Sequence, residues 1–202
     1  MREDLINAIR QFQPSFDIRL DDGAIDRLAD YYELIQEHNV LLHLVAPCSA
    51  EEFAIRHILE SLTLLEQLPN RAKFADVGTG GGLPSIPCLL VRGDLKAVLI
   101  ESKKKKTKFL ELAVEKLGIS ERTLVVTNQF QEVDPADCES VTSRALDKFT
   151  EKLPRLLKWK KRRQLLLFGG PNLGDALRAG KMIFVAKLMP MSEQRYLFVV
   201  NR

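Results

Sequence analysis

The sequence predicts an α/β fold, in which a helical cap precedes a mostly parallel seven-stranded sheet that has an antiparallel strand at one edge. From residue 72 onward, short apolar runs alternate with amphipathic stretches, as expected for a parallel sheet with helices on both faces. Before that point, apolar residues recur at helical spacing. We therefore divide the chain into a cap, residues 1–70, and a sheet domain, residues 71–202, which we expect to pack as one unit.

The cap is predicted to contain three helices. Apolar residues recur at helical spacing over residues 2–13 and 22–45. A third helix is expected over residues 50–68, because Ser49 can act as its N-cap with Glu52 three residues later.

The sheet is predicted from the short apolar runs, and the last two of these are expected to form a hairpin at one edge. Strands are predicted at residues 73–77, 96–101, 122–126, 139–143 and 164–168, helices at 104–117 and 146–159, and the hairpin at 181–188 and 195–200.

Composition favours a soluble protein with one hydrophobic core. The chain has 202 residues, of which 46% are hydrophobic, enough to bury a full α/β core. No apolar run approaches the roughly 18 residues needed to cross a bilayer, and the first residues are charged. We expect a cytoplasmic monomer that does not contact a membrane.

Cysteine and histidine usage gives no indication of a metal site. Cys48, Cys88 and Cys138 are widely separated and lack C-x-x-C spacing, so neither a disulfide framework nor a zinc site is predicted. The three histidines also lack the paired spacing of a metal-binding helix.

Basic residues are concentrated late in the chain. Residues 152–202 contain twelve Lys or Arg against two Asp or Glu, and the densest part surrounds the only tryptophan. A second lysine run begins at residue 103. Such composition suits phosphates and an exposed base, although either run alone fits a solvated helix face equally well. The candidate RNA contacts in these runs are Lys103, Lys104, Lys158, Trp159, Lys160, Lys161, Arg162 and Arg163.

A glycine-dense turn is the main candidate for a cofactor site. The first predicted strand reaches Asp76 and leads directly into a turn that contains Gly78, Gly80 and Gly82. Glycine lets the backbone approach a nucleotide closely, because it lacks a Cβ. About 25 residues later the second strand ends at Glu101, whose carboxylate can accept both hydroxyl hydrogens of a ribose. Together these residues predict a nucleoside site.

The glycine spacing favours S-adenosylmethionine (SAM) over a dinucleotide. Leu83 stands where the third glycine of the dinucleotide fingerprint would lie, and the turn reads G-x-G-x-G instead. That pattern is typical of SAM-dependent methyltransferases with a Rossmann-like fold. A glycine-rich turn alone is a weak signal for function, and the acidic strand end strengthens it.

Longer motifs extend this interpretation to a family. The chain contains the segments Arg56-His57-Ile58-Leu59-Glu60-Ser61-Leu62 and Ser143-Arg144-Ala145, with Leu83-Pro84 after the glycine turn. In these motifs, in its length and in the order of cap and sheet, the chain resembles the bacterial 16S ribosomal RNA guanine-N7 methyltransferases, also called the glucose-inhibited division protein B family.

The resemblance implies transfer of a methyl group from SAM to N7 of a guanine in a hairpin loop of 16S ribosomal RNA. It also implies positions for the site residues. Gly78 and Leu83 would line the cofactor, Phe130 and Gln131 would flank its adenine, and Asp76 would stand near its methionine end. Arg144 would lie near both cofactor and substrate, and Arg56 and His57 would close the pocket from the cap side.

This chemistry needs no general base. Guanine N7 already carries an in-plane lone pair, so the rate depends on holding N7 and the methyl carbon in line. Guanine O6 lies on the same edge as N7, and an arginine can bind O6 while leaving N7 free. We assign this catalytic role to Arg144 as a hypothesis.

The chain also departs from the family pattern on the substrate side. His43-Leu44-Val45 replaces N-L-T, and Phe168-Gly169-Gly170 replaces A-L-K-G, which removes an expected lysine. Either the basic residues at 158–163 replace that lysine in holding RNA, or the protein acts weakly or on another substrate. The alternatives are therefore an RNA-binding protein that has lost catalysis and a methyltransferase of a small molecule. A nicotinamide oxidoreductase fits least well, because of Leu83.

Overall fold

The computed structural model describes residues 1–135, 137–144 and 149–201. The cap contains the three predicted helical segments. They are α1 (Arg2–Phe12), α2 (Asp22–Leu42) and a continuous helical segment, residues 50–67, built from α3 (Ala50–Phe53), a π turn (Ala54–Leu59), α4 (Glu60–Leu62) and a 3-10 turn (Thr63–Gln67).

Local hydrogen bonds set the ends of the cap helices. Ser49 is the N-cap of α3, as predicted, and its Oγ accepts a hydrogen bond from the Glu52 N–H at 3.1 Å. Helix α2 ends at Leu42, three residues before the predicted end, because His43 adopts a left-handed conformation with a φ of 47°.

The sheet has seven strands in the order β3-β2-β1-β4-β5-β7-β6. Strand β7 runs antiparallel to both of its neighbours, and the other pairs are parallel. The prediction of a mostly parallel sheet with an antiparallel hairpin at one edge is therefore confirmed. The strands are β1 (Lys73–Val77), β2 (Lys96–Glu101), β3 (Thr123–Thr127), β4 (Ser140–Arg144), β5 (Gln164–Gly169), β6 (Phe184–Leu188) and β7 (Tyr196–Val200).

Most predicted boundaries lie within one residue of those observed. Strand β3 starts one residue late because a 3-10 turn, Ser120–Arg122, precedes it. The predicted residues 146–148 lie outside the part of the chain that the structure describes. The helices of the sheet domain are α5 (Ser85–Val91), α6 (Lys104–Lys116), α7 (Phe149–Trp159) and α8 (Pro171–Ala179).

Helices cover both faces of the sheet. On one face, cap residues such as Leu28 and Phe53 share a buried apolar cluster with Phe74 and Leu99 of the sheet. On the other face, Leu156 of α7 joins a second cluster. Full burial of each such side chain adds roughly 1.5–3 kcal/mol to the free energy of unfolding. None of the described helices is long and apolar enough to cross a membrane.

Candidate functional site

A cleft of about 590 Å³ lies where the cap meets the carboxyl ends of strands β1 to β4. The sheet order reverses between β1 and β4, and ligands of open α/β sheets bind at such a switch point. The residues that line the cleft are Leu44, Val45, Ala46, Arg56, His57, Val77, Gly78, Thr79, Gly80, Gly81, Leu83, Ile100, Glu101, Ser102, Lys103, Lys106, Asn128, Gln129, Phe130, Arg144 and Lys152.

The glycine turn has two different functions. Gly78 and Gly80 line the cleft, and the φ of +59° at Gly80 is one that other residues rarely adopt. Gly82 was predicted to contact the cofactor, but it does not line the cleft. Its φ is +97°, and a Cβ there would lie 2.3 Å from Cδ1 of Ile86. Gly82 therefore permits close packing of the turn on α5.

Asp76, which was predicted to stand near the methionine end of the cofactor, is fully buried beneath the turn and does not itself line the cleft. Its Oδ2 accepts hydrogen bonds from Thr79 Oγ1 at 2.8 Å and from Ser85 Oγ at 2.5 Å. Its Oδ1 is buried with no hydrogen-bond partner among the described residues. Asp76 thus ties both ends of the glycine turn to β1.

The buried carboxyl of Asp76 predicts a pH-dependent stability. Burial raises its pKa from 3.8 to about 7, against the hydrogen bonds from Ser85 and Thr79, which lower it. The native state therefore holds a proton that the unfolded state has lost, and the free energy of unfolding falls as pH rises from about 4 to about 7. We expect Asp76→Asn to remove this dependence of the free energy of unfolding on pH.

Urea unfolding at intervals from pH 5 to pH 8 measures this effect. Asp175→Asn, at an exposed carboxylate paired with Arg178, is the matched control and should keep the wild-type slope. Equal slopes in wild type and Asp76→Asn would contradict the assignment.

Glu101 lines the cleft at the end of β2, where the sequence predicted a ribose-binding carboxylate. Its Oε2 accepts the Gly80 N–H at 3.1 Å, and its Oε1 accepts the Lys103 N–H at 2.9 Å. The residue is only 7% exposed. These bonds fix the carboxylate beside the glycine turn, and a carboxylate has further lone pairs for a ligand.

A loop after α2, residues 43–46, forms the cap side of the cleft, and it includes the His43-Leu44-Val45 segment that the sequence comparison marked on the substrate side. The Asn39 side chain holds this loop by accepting hydrogen bonds from the N–H groups of Leu44 at 2.8 Å and Val45 at 3.0 Å. Lys106, which also lines the cleft, donates to the His43 carbonyl at 3.3 Å. An asparagine near a helix end is a further sequence signal of such a loop.

The cap also contacts the glycine turn directly. The buried hydroxyl of Tyr31 in α2 donates to the Gly81 carbonyl at 2.9 Å. The pKa of this phenol is strongly raised by burial, so it remains a donor. In the sequence, Tyr31 is recognisable only as part of the apolar helix face.

The end of β3 presents Phe130 to the cleft, as predicted, but not Gln131. Gln131 lies in a separate depression with Trp159. The amides at the cleft are instead those of Asn128 and Gln129. Sequence spacing could not separate these neighbours, because the 3-10 turn Phe130–Glu132 turns Gln131 away.

Arg144 lies at the end of β4 and lines the cleft with 14% of its side chain exposed. Its Nη2 donates to the Arg56 carbonyl at 2.5 Å and to Glu60 Oε2 at 3.2 Å. Its guanidinium carbon lies 5.5 Å from the centre of the Phe168 ring. Phe168, the first residue of the segment in which an expected lysine is missing, therefore packs against the Arg144 guanidinium.

Arg56 and His57 reach the cleft from the π turn of the cap. Such turns are rare and occur frequently at functional sites. Burial and the nearby Arg144, Arg56 and Arg195 lower the pKa of His57 to about 3, so its imidazole is neutral near pH 7. Its Nδ1 is buried without a hydrogen-bond partner in the described part of the chain.

The two basic runs lie at opposite ends of the strands. Lys103 lines the cleft, and the exposed Lys104 follows it in α6. Residues 158–163 instead precede β5, whose first residue pairs with the first residue of β4. The residues directly before β5 therefore lie at the amino ends of the strands, about 15 Å along a strand from the carboxyl ends that form the cleft.

Within this second run, the predicted RNA contact Lys160 is buried, and Trp159 is half-buried. Lys160 is buried, and its Nζ donates to the carbonyls of Arg163 at 2.8 Å and Asn201 at 3.3 Å. Trp159 packs its ring 5.5 Å from that of Phe130, and its Nε1 donates to the Val133 carbonyl at 2.7 Å. Lys158, Lys161 and Arg162 remain exposed, whereas the Arg163 Nε donates to the Cys138 carbonyl.

Metal binding has no structural candidate in the ranges 1–135, 137–144 and 149–201. No three His, Cys, Asp or Glu side chains are grouped there so that they could hold an ion.

Comparison with known proteins gives consistent matches. The sequence model of the family described as rRNA small subunit methyltransferase G matches residues 24–189. A Neisseria meningitidis protein named ribosomal RNA small subunit methyltransferase G is 36% identical over 126 residues, which cover 62% of this chain and 60% of that protein. A Brachyspira hyodysenteriae protein of the same name is 28% identical over 193 residues, covering 91% of this chain and 94% of that protein.

Solved structures resemble the chain in fold alone. An RNA methyltransferase from Salinibacter ruber, in complex with S-adenosyl-L-homocysteine, matches 72% of this chain and 90% of its own with a TM-score of 0.52 and 15% identity. A human methyltransferase 10 domain containing protein matches 87% of this chain and 97% of its own with a TM-score of 0.57 and 12% identity.

Proposed function

Since its sequence matches the family over most of its length, the chain belongs to the rRNA small subunit methyltransferase G family, and we propose that it methylates N7 of a guanine in 16S ribosomal RNA with SAM as donor. The first curated relatives are matched over only 60% of their own length. The observation that carries the proposal is the cleft at the switch point, where the glycine turn meets Glu101.

The residues of the cleft fit SAM. The volume of about 590 Å³ lies within the usual range for small-ligand sites. Gly80 lines the cleft with a φ of +59°, a conformation that glycine adopts without strain, and it presents bare backbone to a ligand there. Glu101 would accept the ribose hydroxyls, and Phe130 would pack against the adenine. When bound, SAM supplies a methyl group on a positively charged sulfur.

The guanine side of the site depends on Arg144. Its contacts with Arg56 and Glu60 hold the guanidinium at the mouth of the cleft. From there it can donate to guanine O6 and leave the N7 lone pair free. The neutral His57 beside it adds no positive charge that would oppose binding of a cationic donor. No side chain has to remove a proton, because N7 carries none.

We propose that the RNA backbone crosses the amino end of α6. Lys103 is the N-cap of this helix and its first turn contains no acidic residue. Lysines at a helix N-terminus are unfavourable, because they add to the positive end of the helix dipole. Phosphates bound there would neutralise the lysine side chains and the positive end of the helix dipole. Lys152, on the other side of the cleft, extends the same basic surface.

Charge removal at this surface gives a testable prediction. We expect Lys103→Ala with Lys104→Ala to weaken binding of a short ribosomal RNA hairpin and to reduce the slope of log K against log salt by about 1 to 2, since each lost phosphate contact contributes about 0.9. Fluorescence anisotropy at four salt concentrations measures the slope.

The matched control removes two exposed cations near the amino ends of the strands. Lys161→Ala with Arg162→Ala should leave the slope for the short hairpin unchanged. If this pair lowers the slope and the first pair does not, the RNA follows residues 158–163, as the sequence alone suggested.

One experiment tests the proposed function. Purified protein is incubated with labelled SAM and 16S ribosomal RNA from cells that lack the gene, and the modified nucleotide is identified by mass spectrometry. We expect label on N7 of one guanine. Binding of SAM and of RNA without transfer would favour an RNA-binding protein that has lost catalysis. Label on a small molecule would favour a small-molecule methyltransferase. As a ribosomal RNA enzyme, the protein would act in the cytoplasm, and we propose that it does so as a monomer.

A further inference from the structure

A buried carboxylate behind the cleft connects two arginines from distant parts of the chain. Glu60, in α4 of the cap, has a side chain only 2% exposed. Its Oε2 accepts from Arg144 Nη2 at 3.2 Å, and its Oε1 accepts from Arg195 Nε at 2.5 Å. Arg195 lies directly before β7, in the connection from β6. The cap, β4 and the hairpin thus meet at this carboxylate.

This arrangement fixes the Arg144 guanidinium from several sides. Its Nη2 also donates to the Arg56 carbonyl at 2.5 Å, and its Nη1 lies 3.4 Å from Ser61 Oγ. These contacts involve both Nη2 hydrogens and one Nη1 hydrogen. The Nε–H and the second Nη1–H have no acceptor among the described residues, so a ligand can use them, and their directions follow from the planar guanidinium.

Burial makes Glu60 sensitive to the loss of either partner. A buried carboxylate is tolerated when charged hydrogen bonds satisfy its oxygens, and here two guanidinium groups do so. The cluster of Arg144, Arg195 and Glu60 carries one excess positive charge, directed toward the cleft through Arg144. Glu60 itself does not line the cleft.

We infer that Glu60 is a positioning residue, which holds the Arg144 guanidinium in the orientation needed at guanine O6. The role of Arg144 toward guanine rests on the proposed function, whereas the immobilisation of Arg144 by Glu60 does not. Through Arg195, the same carboxylate links the hairpin to the cleft.

Arginine side-chain ¹⁵N NMR spectra test the immobilisation without any activity measurement. A guanidinium held by a carboxylate rotates slowly and gives resolved Nη–H signals, which Arg144→Lys and Arg195→Lys would assign. We expect these signals in the wild type and their loss in Glu60→Gln. Glu60→Asp keeps the charge but is one methylene shorter, so it should weaken these signals. It is the test variant if Glu60→Gln does not fold.

The matched control removes an exposed ion pair between the same two regions. Glu66, at the end of the 50–67 helical segment, bonds Lys187 of β6 at 2.6 Å with about half of its side chain exposed. Glu66→Gln should leave the Arg144 signals and the rate of methyl transfer unchanged.

Single-turnover methyl transfer tests the consequence for catalysis. We expect Glu60→Gln to lower the rate about 10- to 100-fold, to change SAM affinity less than about threefold, and to have no further effect when Arg144 is already alanine. Unchanged Arg144 signals in both Glu60 variants would overturn the inference, as would a rate loss that persists in the Arg144→Ala background. Wild-type protein that shows the signals but no transfer would instead refute the proposed function.

Discussion

Replacing Arg144 by alanine is expected to slow single-turnover methyl transfer to ribosomal RNA by about 10²- to 10³-fold, the usual cost of removing one preorganised donor. The physical reason is its position. Arg144 is the cation at the end of β4 that both lines the cleft and is fixed by the cap through Glu60 and the Arg56 carbonyl. Without it, nothing at that point donates to guanine O6 as N7 attacks.

Arg144→Ala also breaks a buried ion pair, so its stability has to be measured beside its rate. Arg178→Ala is a control for the loss of a paired arginine outside the cleft, and because its ion pair is exposed we expect it to cost less stability than Arg144→Ala. Arg178 bonds Asp175 at 2.8 Å and lies 5.7 Å from the centre of the Phe184 ring. A folded Arg144→Ala protein that transfers methyl groups at the wild-type rate would remove Arg144 from the mechanism.

Gly82→Ala is expected to lower the free energy of unfolding by about 2–5 kcal/mol. The left-handed φ of +97° costs a residue with a Cβ about 1–2 kcal/mol. The new Cβ would also lie 2.3 Å from Ile86 Cδ1, and overpacking of this kind costs about 1–3 kcal/mol. The glycine turn must move to relieve the strained φ and the clash with Ile86. Because this turn lines the cleft, affinity for SAM should fall as well.

Two other glycines separate these causes. Gly118 has a φ of +66°, but a Cβ added there would have nothing within 4 Å, so Gly118→Ala should show the conformational cost alone, about 1–2 kcal/mol. A Cβ at Gly93 would also have no neighbour within 4 Å, and Gly93→Ala should change stability by less than about 0.5 kcal/mol. Urea unfolding of the three variants measures the series, and equal losses at Gly82 and Gly93 would contradict the account.

The sheet could be predicted from the sequence because its signals are local. Apolar runs end in turns at nearly every strand, and the spacing from Asp76 to Glu101 predicted the glycine turn beside Glu101, where the Gly80 N–H bonds its carboxylate. Ser49 likewise gave the start of the third cap helix through a hydrogen bond to a residue three positions away. Each of these features depends on neighbouring residues or on strand periodicity.

The rest of the site could not be predicted, because it depends on contacts between distant elements. Charge density favoured residues 158–163 as the RNA surface, but the topology places them at the amino ends of the strands. Lys160 looks like a surface cation in the sequence, yet it is buried against two main-chain carbonyls. Tyr31 bonds a residue fifty positions away, and no local pattern indicates this.

The central claim is that the glycine turn and Glu101 form a site for SAM, and isothermal titration calorimetry tests it most directly. The purified protein is titrated with SAM and with S-adenosyl-L-homocysteine, with and without the RNA hairpin, beside Glu101→Ala and the exposed control Glu115→Ala. We predict one site in the wild type and the control, and an affinity about 10- to 100-fold weaker in Glu101→Ala. Absence of binding to either compound, or equal affinity in Glu101→Ala, would contradict the account.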